Sequence, residues 1–285
     1  LNCFEIAKKV LDRSFAKIEG SQEEKVKLIN KRISELQTAY GNLDQKDGVD
    51  YSDPITQFAY IYKYTTAHAS YVCTLMEKAD RKDALPTEGK IKLASIGGGP
   101  GSDFLGFLKF YNSSCYSGIS AISNSFDKDS DWSYCWSKVF EEARECTEGE
   151  EACSSLSTNF HILDVCDPKS TQRIDDYTDS DIFTMIYFMS EVYQFRDKVA
   201  PFFTYLFSNI RKGATVLFID NKTDRYREWF DFFVGANGYE VLISGEDRWV
   251  PSFDEQKAVL GEYLTLLKQN PKLQGDIAYR VVRKM

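Results

Sequence analysis

Residues 91–103 read IKLASIGGGPGSD. The first six, Ile91-Lys92-Leu93-Ala94-Ser95-Ile96, are largely apolar and short, the pattern of a strand covered on both faces. The turn Gly97-Gly98-Gly99-Pro100-Gly101 follows at once. Residues 104–110 then carry a helical pattern. Glycine lets the backbone turn sharply and approach a ligand, and a helix start offers unpaired N–H groups. Strand, glycine turn and helix in that order predict a cofactor site at the turn.

The rest of the chain supplies the context. Strands are expected over 116–126, 160–163, 181–187, 214–219, 239–244 and 278–282. Helices are expected over 132–144, 192–211 and 226–234, with a further helix in 253–268 and a loop over 269–275. Strands alternating with helices predict an α/β fold: a Rossmann-like, mainly parallel, seven-stranded sheet with helices on both faces. Residues 1–85 read as a separate helical region, a lid or accessory to the domain at 86–285. Phe4, Ala7, Val10, Leu11, Phe15 and Ile18 form one helical stripe, and Val26, Ile29, Ile33 and Leu36 a second. A third helix is expected over 55–77.

Spacing within the turn distinguishes two cofactor classes. A dinucleotide fingerprint, G-x-G-x-x-G, is met at Gly97 and Gly99 but then meets Ser102 where a third glycine is needed. The run Ser95-Ile96-Gly97-Gly98-Gly99-Pro100-Gly101-Ser102-Asp103 instead resembles motif I of class I S-adenosylmethionine-dependent methyltransferases, with Gly97, Gly99 and Gly101 as its three glycines. Ser95 stands where that motif commonly has a carboxylate, and Asp103 is the substitute within reach. Asp127 closes the second strand, where the resemblance implies an acceptor for both ribose hydroxyls, with Lys128 and Trp132 beside it and Asp129 as backup. Asp164 and Val165 fall where such enzymes hold adenine, and Phe188 and Met189 where the fourth strand ends beside the transferring methyl. The resemblance covers roughly 55–285. Gly-Gly-Gly-Pro-Gly-Ser-Asp together with Asp127-Lys128-Asp129-x-x-Trp132-x-x-x-Trp136 is similar, more narrowly, to a eukaryotic group that includes fungal enzymes methylating a uridine of large-subunit ribosomal RNA.

Acceptor chemistry is less marked. The fourth-strand loop has no Asn-Pro-Pro-Tyr or Asp-Pro-Pro-Tyr, so adenine and glutamine amino groups are not indicated. Glu191 reads either as a base or orienting group, or as a charge favoured at a helix start. Tyr60, Tyr64, His68 and Tyr71 recur at spacings of four, four and three, so they lie near one helical face. Such a stripe serves a core or a pocket wall, and it makes Tyr64 and His68 the catalytic candidates beside Glu191. His161, entering a strand, reads as structural.

Composition narrows the partners. The 285 residues carry a net charge of −8, which does not suggest a nucleic-acid binder, whose affinity rests on cations neutralising phosphates. A small-molecule acceptor is therefore the expectation, with RNA as the alternative if Lys63, Lys78, Arg81, Lys82, Lys222, Arg225 and Arg227 gather at the pocket mouth. A third reading is a non-catalytic cofactor-binding sensor or scaffold, encouraged only by Ser95. Seven cysteines without a C-x-x-C pair argue against a zinc site or a disulfide framework, although Cys146 and Cys153 could pair under oxidation. No apolar run is long enough to span a bilayer, and the start of the chain lacks a charged-then-apolar leader pattern, so cytoplasm or nucleus is expected.

Overall fold

A computed structural model describes residues 2–42, 49–114, 116–147, 153–170, 174, 177–251 and 253–285; the side chains of 153, 154 and 253–257 are outside the described set. Seven strands form one sheet: β1 (Lys90–Ile96), β2 (Ile119–Asp127), β3 (Cys153–Ile162), β4 (Ile182–Ile186), β5 (Thr215–Asn221), β6 (Tyr239–Trp249) and β7 (Gly275–Lys284). Their order is β3-β2-β1-β4-β5-β7-β6. The first five are parallel, and β7 lies antiparallel between β5 and β6. The chain runs outward from β1 through β2 to β3, then returns to place β4 on the other side of β1. The carboxyl ends of β1 and β4 thus flank the topological switch point, where open α/β sheets bind ligands.

Alternate residues of the central strands feed two cores. Ile91 and Leu93 of β1, Ile182 and Ile186 of β4, and Leu217 and Ile219 of β5 face one core. Ala94 and Ile96, Phe183 and Met185, and Val216 and Phe218 face the other. This period of two with apolar residues on both sides explains the unbroken apolar runs, since helices cover each face. The helix that follows the glycine turn is α5 (Ser102–Ser113), and α6 (Trp132–Thr147) follows β2. Trp132, Cys135, Trp136, Val139 and Ala143 make the buried stripe of α6. A short α7 (Phe188–Val192) leaves β4, a 3-10 turn at Tyr193–Phe195 follows, and α8 (Arg196–Asn209) and α9 (Asp224–Ala236) cover the second face.

The N-terminal helices share the first core. Helix α1 (Cys3–Lys17) starts on Asn2, whose side chain accepts from the Phe4 N–H; α2 (Gln22–Gly41) starts on a reciprocal Ser21–Glu24 capping box. Helix α3 (Pro54–Tyr60) runs through a π turn at Ile61–Thr65 into α4 (Thr66–Asp80). Helix α4 lies close to α5: a Cβ added at Gly106 would stand 2.5 Å from the Ala69 carbonyl oxygen and 2.6 Å from Val72 Cβ. The helix that follows the glycine turn and the helix that carries His68 and Tyr71 are thereby packed closely together. Helix α10 (Phe253–Leu267) precedes β7 and packs beside α1.

Three expected strands prove several residues longer, among them β7, which runs over Gly275–Lys284 rather than 278–282. Strand β3 begins at Cys153 rather than 160, and β6 runs on to Trp249 rather than ending at 244. Strand β2 starts at Ile119 rather than 116, and the helix expected over 192–211 is divided between α7, the 3-10 turn and α8. Cys3, Cys73 and Cys135 are buried and Cys146 and Cys166 partly so; the proposed Cys146–Cys153 pairing, like Cys115, lies outside the described residues. Among the described residues no helix is long and apolar enough to cross a membrane.

Candidate functional site

The glycine turn is shaped by left-handed backbone at three positions and by close contacts at Gly98 and Gly101. Gly97, Gly99 and Gly101 have φ of +72°, +47° and +99°, a region L residues with a Cβ rarely adopt. A Cβ at Gly98 would meet Ser125 Oγ at 2.3 Å, and one at Gly101 would meet Trp136 at 2.7 Å. Trp136 therefore seats its helix on the turn. The N–H groups of Gly97 and Gly98 both donate to the Phe126 carbonyl, at 2.8 and 3.2 Å, fixing the turn to the end of β2.

Asp127 joins that arrangement through its side chain. One carboxylate oxygen accepts from the Gly99 N–H at 3.0 Å and the other from the Asp129 N–H at 3.0 Å. Each oxygen keeps acceptor capacity for a ligand hydroxyl. Burial raises the Asp127 carboxyl to about 6, with the Glu191 charge adding to the rise.

Beyond the carboxyl ends of β1, β2 and β4 lies a cleft of ≈ 390 Å³. Of the predicted cofactor residues, Gly97, Asp127, Lys128, Asp164, Val165 and Phe188 line it. Asp164 is exposed there, one oxygen accepting from the Cys166 N–H at 2.9 Å. The others stand behind that wall. Ser95 and Asp103 are buried, and Ser95 Oγ, Ser125 Oγ and one Asp103 oxygen have no hydrogen-bond partner among the described residues. Burial pushes the Asp103 carboxyl up to about 7. Gly98, Gly99 and Gly101 form the turn itself, and Met189 packs in the second core. Trp132 packs on Tyr51 and Tyr60, ring centres 4.9 and 5.2 Å away, and those tyrosines line the cleft.

A second, small chamber of ≈ 50 Å³ adjoins the cleft, which it meets at Tyr60, Tyr187 and Glu191. All three predicted catalytic residues, Tyr64, His68 and Glu191, line it. Glu191 comes from α7, and the π turn helps α3–α4 deliver the other two: a turn closed from i to i+5 holds an extra residue, so residues four apart, Tyr60 and Tyr64, stand closer to one line than in an α-helix. His68 stacks on Tyr187 with ring centres 4.5 Å apart. Its Nε2 is buried with no partner among the described residues. Burial, assisted by the Lys272 charge, holds His68 well below its ordinary value, so the ring is neutral.

Sequence reasoning missed the opposite wall. Tyr187 ends β4 with φ of +57°, a strained backbone for a residue with a side chain, of the kind that gathers at functional sites. Lys272 reaches in from the segment between α10 and β7; its Nζ donates to Tyr187 Oη at 2.8 Å and lies 4.0 Å from the ring centre. That segment is tied to the N-terminal helices: the Lys272 N–H donates to the Lys63 carbonyl at 2.7 Å, Lys63 Nζ to the Asn270 carbonyl at 2.7 Å, and Tyr62 Oη to the Gln269 carbonyl. Burial lowers the Lys272 amine to about 7. A third space, an open vestibule of ≈ 660 Å³, meets the chamber from outside at Tyr40, Tyr64, Asn221 and Lys272. No local sequence pattern marks Lys272.

Of the predicted basic residues, Lys63 lines the vestibule, and three others lie against neighbouring side chains. Lys222 lies 3.5 Å from Glu246, Arg227 lies 2.7 Å from Asp224 and pairs with Glu246, and Lys78 stands over Trp249. His161 packs on Phe126 with ring centres 4.9 Å apart, supporting the cleft floor from β3.

No protein family's sequence profile matches the chain, and no curated protein does. Among solved structures, similarity is found to a proposed RNA methyltransferase from Pyrococcus horikoshii, 16% identical over 84% of this chain and 91% of that one, with a TM-score of 0.44. A precorrin-6y C5,15-methyltransferase from Geobacter metallireducens is 10% identical over 73% and 87%, with a TM-score of 0.41. An S-adenosylmethionine-dependent methyltransferase from Clostridium acetobutylicum is 11% identical over 88% and 98%, with a TM-score of 0.38.

Proposed function

We propose that this chain transfers a methyl group from S-adenosylmethionine to a small molecule. The observation that carries the reading is the pairing of two spaces. A cleft of ≈ 390 Å³ sits at the switch point with Asp127 and Asp164 on its wall, and it shares Tyr60, Tyr187 and Glu191 with an adjoining chamber of ≈ 50 Å³. The larger is of ligand-binding size; the smaller admits only the reacting end of an acceptor.

The residues fit the cofactor. Asp127 has acceptor capacity for ribose hydroxyls, Asp164 can accept from the adenine amino group, and Val165, Leu163 and Phe126 give an apolar bed. The cofactor's sulfonium supplies an already activated methyl, so the task left to the chain is to position the acceptor and exclude water. Glu191, on the walls of both spaces, orients the reacting groups. Residues 1–85 act as the cover, contributing Tyr51 and Tyr60 to the cleft and Tyr40, Tyr64 and His68 to the chamber. The pairing of Lys222 and Arg227 with carboxylates favours a small acceptor over RNA, which needs a concentrated basic surface.

The test is in two stages. Calorimetry should detect S-adenosylmethionine and S-adenosylhomocysteine binding, each weakened at least tenfold in Asp127→Ala. Incubation with methyl-tritiated cofactor and a cell extract split into metabolites and RNA should then place label in the metabolites. Label in RNA alone would sink the small-molecule reading, and binding without label in any fraction would make the protein a cofactor sensor.

A further inference from the structure

Chamber and vestibule share four wall residues, Tyr40, Tyr64, Asn221 and Lys272. Of these, the lysine alone has a nitrogen lone pair that can accept a proton when the amine is neutral. We propose that Lys272 is the base of the reaction: its Nζ takes the proton from an N–H or O–H acid held in the chamber and releases it to water through the vestibule. This rests on the methyl-transfer reading above and assigns the acceptor to the class of heteroatom acids.

The geometry prepares the amine for that task. Lys272 Nζ lies 2.8 Å from Tyr187 Oη, which holds the amine on the chamber wall. Burial holds the Tyr187 phenol well above its ordinary value, so it keeps its proton and stays a neutral anchor. Lys63, on the side of the N-terminal helices, opposes a charge on the amine, while Asp220 at the end of β5 favours one. Burial, with Lys63 acting in the same direction, outweighs Asp220 and leaves the amine neutral above about 7. His68, the other basic nitrogen among the described residues of the chamber wall, is held well below its ordinary value by burial and is a poor base. Its unpartnered Nε2 is suited to hydrogen-bond the acceptor instead. Tyr64, Tyr71 and Tyr187 keep their protons in this pH range, and Glu191 faces the chamber from α7.

The bookkeeping closes. The acceptor's X–H bond breaks, its electron pair stays on X, and the proton moves to Lys272 Nζ. A lone pair of X forms the new bond to the methyl carbon, the carbon–sulfur bond breaks, and its pair goes to sulfur. The ammonium then loses its proton to the vestibule water.

The test uses the full chain. Reductive methylation with labelled formaldehyde, followed by NMR, should show Lys272 titrating near neutrality before any cofactor is added. S-adenosylmethionine affinity should rise several-fold from pH 6 to 8, relative to Lys272→Met, because the sulfonium repels an ammonium; neutral S-adenosylhomocysteine should show no such difference. Label transfer into the responsive extract fraction should fall at least about a hundredfold in Lys272→Ala and be partly restored by added ethylamine. Lys272→Arg keeps the charge and the donor to Tyr187 but cannot lose its proton, so it should stay inactive. An active Lys272→Arg, or a Lys272 that titrates like an exposed lysine, overturns the proposal. Cofactor binding with no label in any fraction overturns the methyl-transfer reading and the base with it.

Discussion

Gly97 and Phe188 meet across the mouth of the cleft: a Cβ built on Gly97 would lie 2.2 Å from Phe188 Cδ2 and 2.9 Å from Cε2. The turn after β1 and the turn after β4 are therefore fitted to each other, not merely to a ligand. Gly97→Ala should weaken S-adenosylmethionine binding by roughly a hundredfold or more, about 2.7 kcal/mol, through displacement of Phe188 and strain at φ +72°. Gly99→Ala is the comparison, because a Cβ there meets nothing within 4 Å. It should cost only the backbone strain, about 1–2 kcal/mol of folding stability. Calorimetry and denaturant unfolding on both variants check the difference.

Asp127 makes cofactor affinity depend on pH. Burial raises its carboxyl to about 6, and in the proposed binding mode ribose hydroxyls donate to the ionised form. Affinity should thus be full above about pH 7 and fall as pH drops through 6, approaching a tenfold loss per unit below it. Asp127→Asn should flatten that part of the profile at a lower overall affinity. An unchanged pH profile in Asp127→Asn would remove Asp127 from the binding wall.

Asp103 makes the fold itself depend on pH in the opposite sense. Burial raises its folded value to about 7, above the ordinary carboxylate value of about 3.9 in an unfolded chain. Between those values the folded state holds more protons than the unfolded state, so stability falls as pH rises from about 4 to about 7. Asp103→Asn removes this term and should raise the melting temperature at pH 8 while changing it little near pH 4. Thermal unfolding at the two pH values decides it, and equal shifts at both would reject the buried-charge account.

The close approach of α4 to α5 should be intolerant of added volume. Gly106→Ala would press a methyl against the Ala69 carbonyl at 2.5 Å and should destabilise the protein by about 1–3 kcal/mol. Because α4 carries His68, cofactor affinity should change less than the reactivity of the chamber. Denaturant unfolding combined with calorimetry separates the two effects.

The interior of the sheet was legible in the sequence, and its edges were not. Strands β1, β4 and β5 announce themselves because both faces are covered, so nearly every residue is apolar. Strand β3 pairs only with β2, and its Ser155 and Ser157 leave one face polar; only Phe160 onward carried a strand signal. The same holds for β6 at the opposite edge, where the expected strand stopped at Ser244 but the polar stretch Gly245-Glu246-Asp247-Arg248 also pairs with β7. The glycine turn, Asp127 and Asp164 were legible because their spacing follows from the chain's local path. Tyr187 and Lys272 come together across 85 residues of sequence, and only the packing of the segment before β7 against Lys63 brings them into one chamber.

That last strand also sets an order of events during synthesis. The cleft is walled by residues no later than Lys198, while the chamber needs Lys272, carried on the approach to a strand that inserts between β5 and β6. A nascent chain emerging N-terminus first has made every residue that walls the cleft about 75 residues before Lys272 is added to the chamber wall. The antiparallel insertion of β7 between β5 and β6 thus works as a latch that closes the chamber after the cleft.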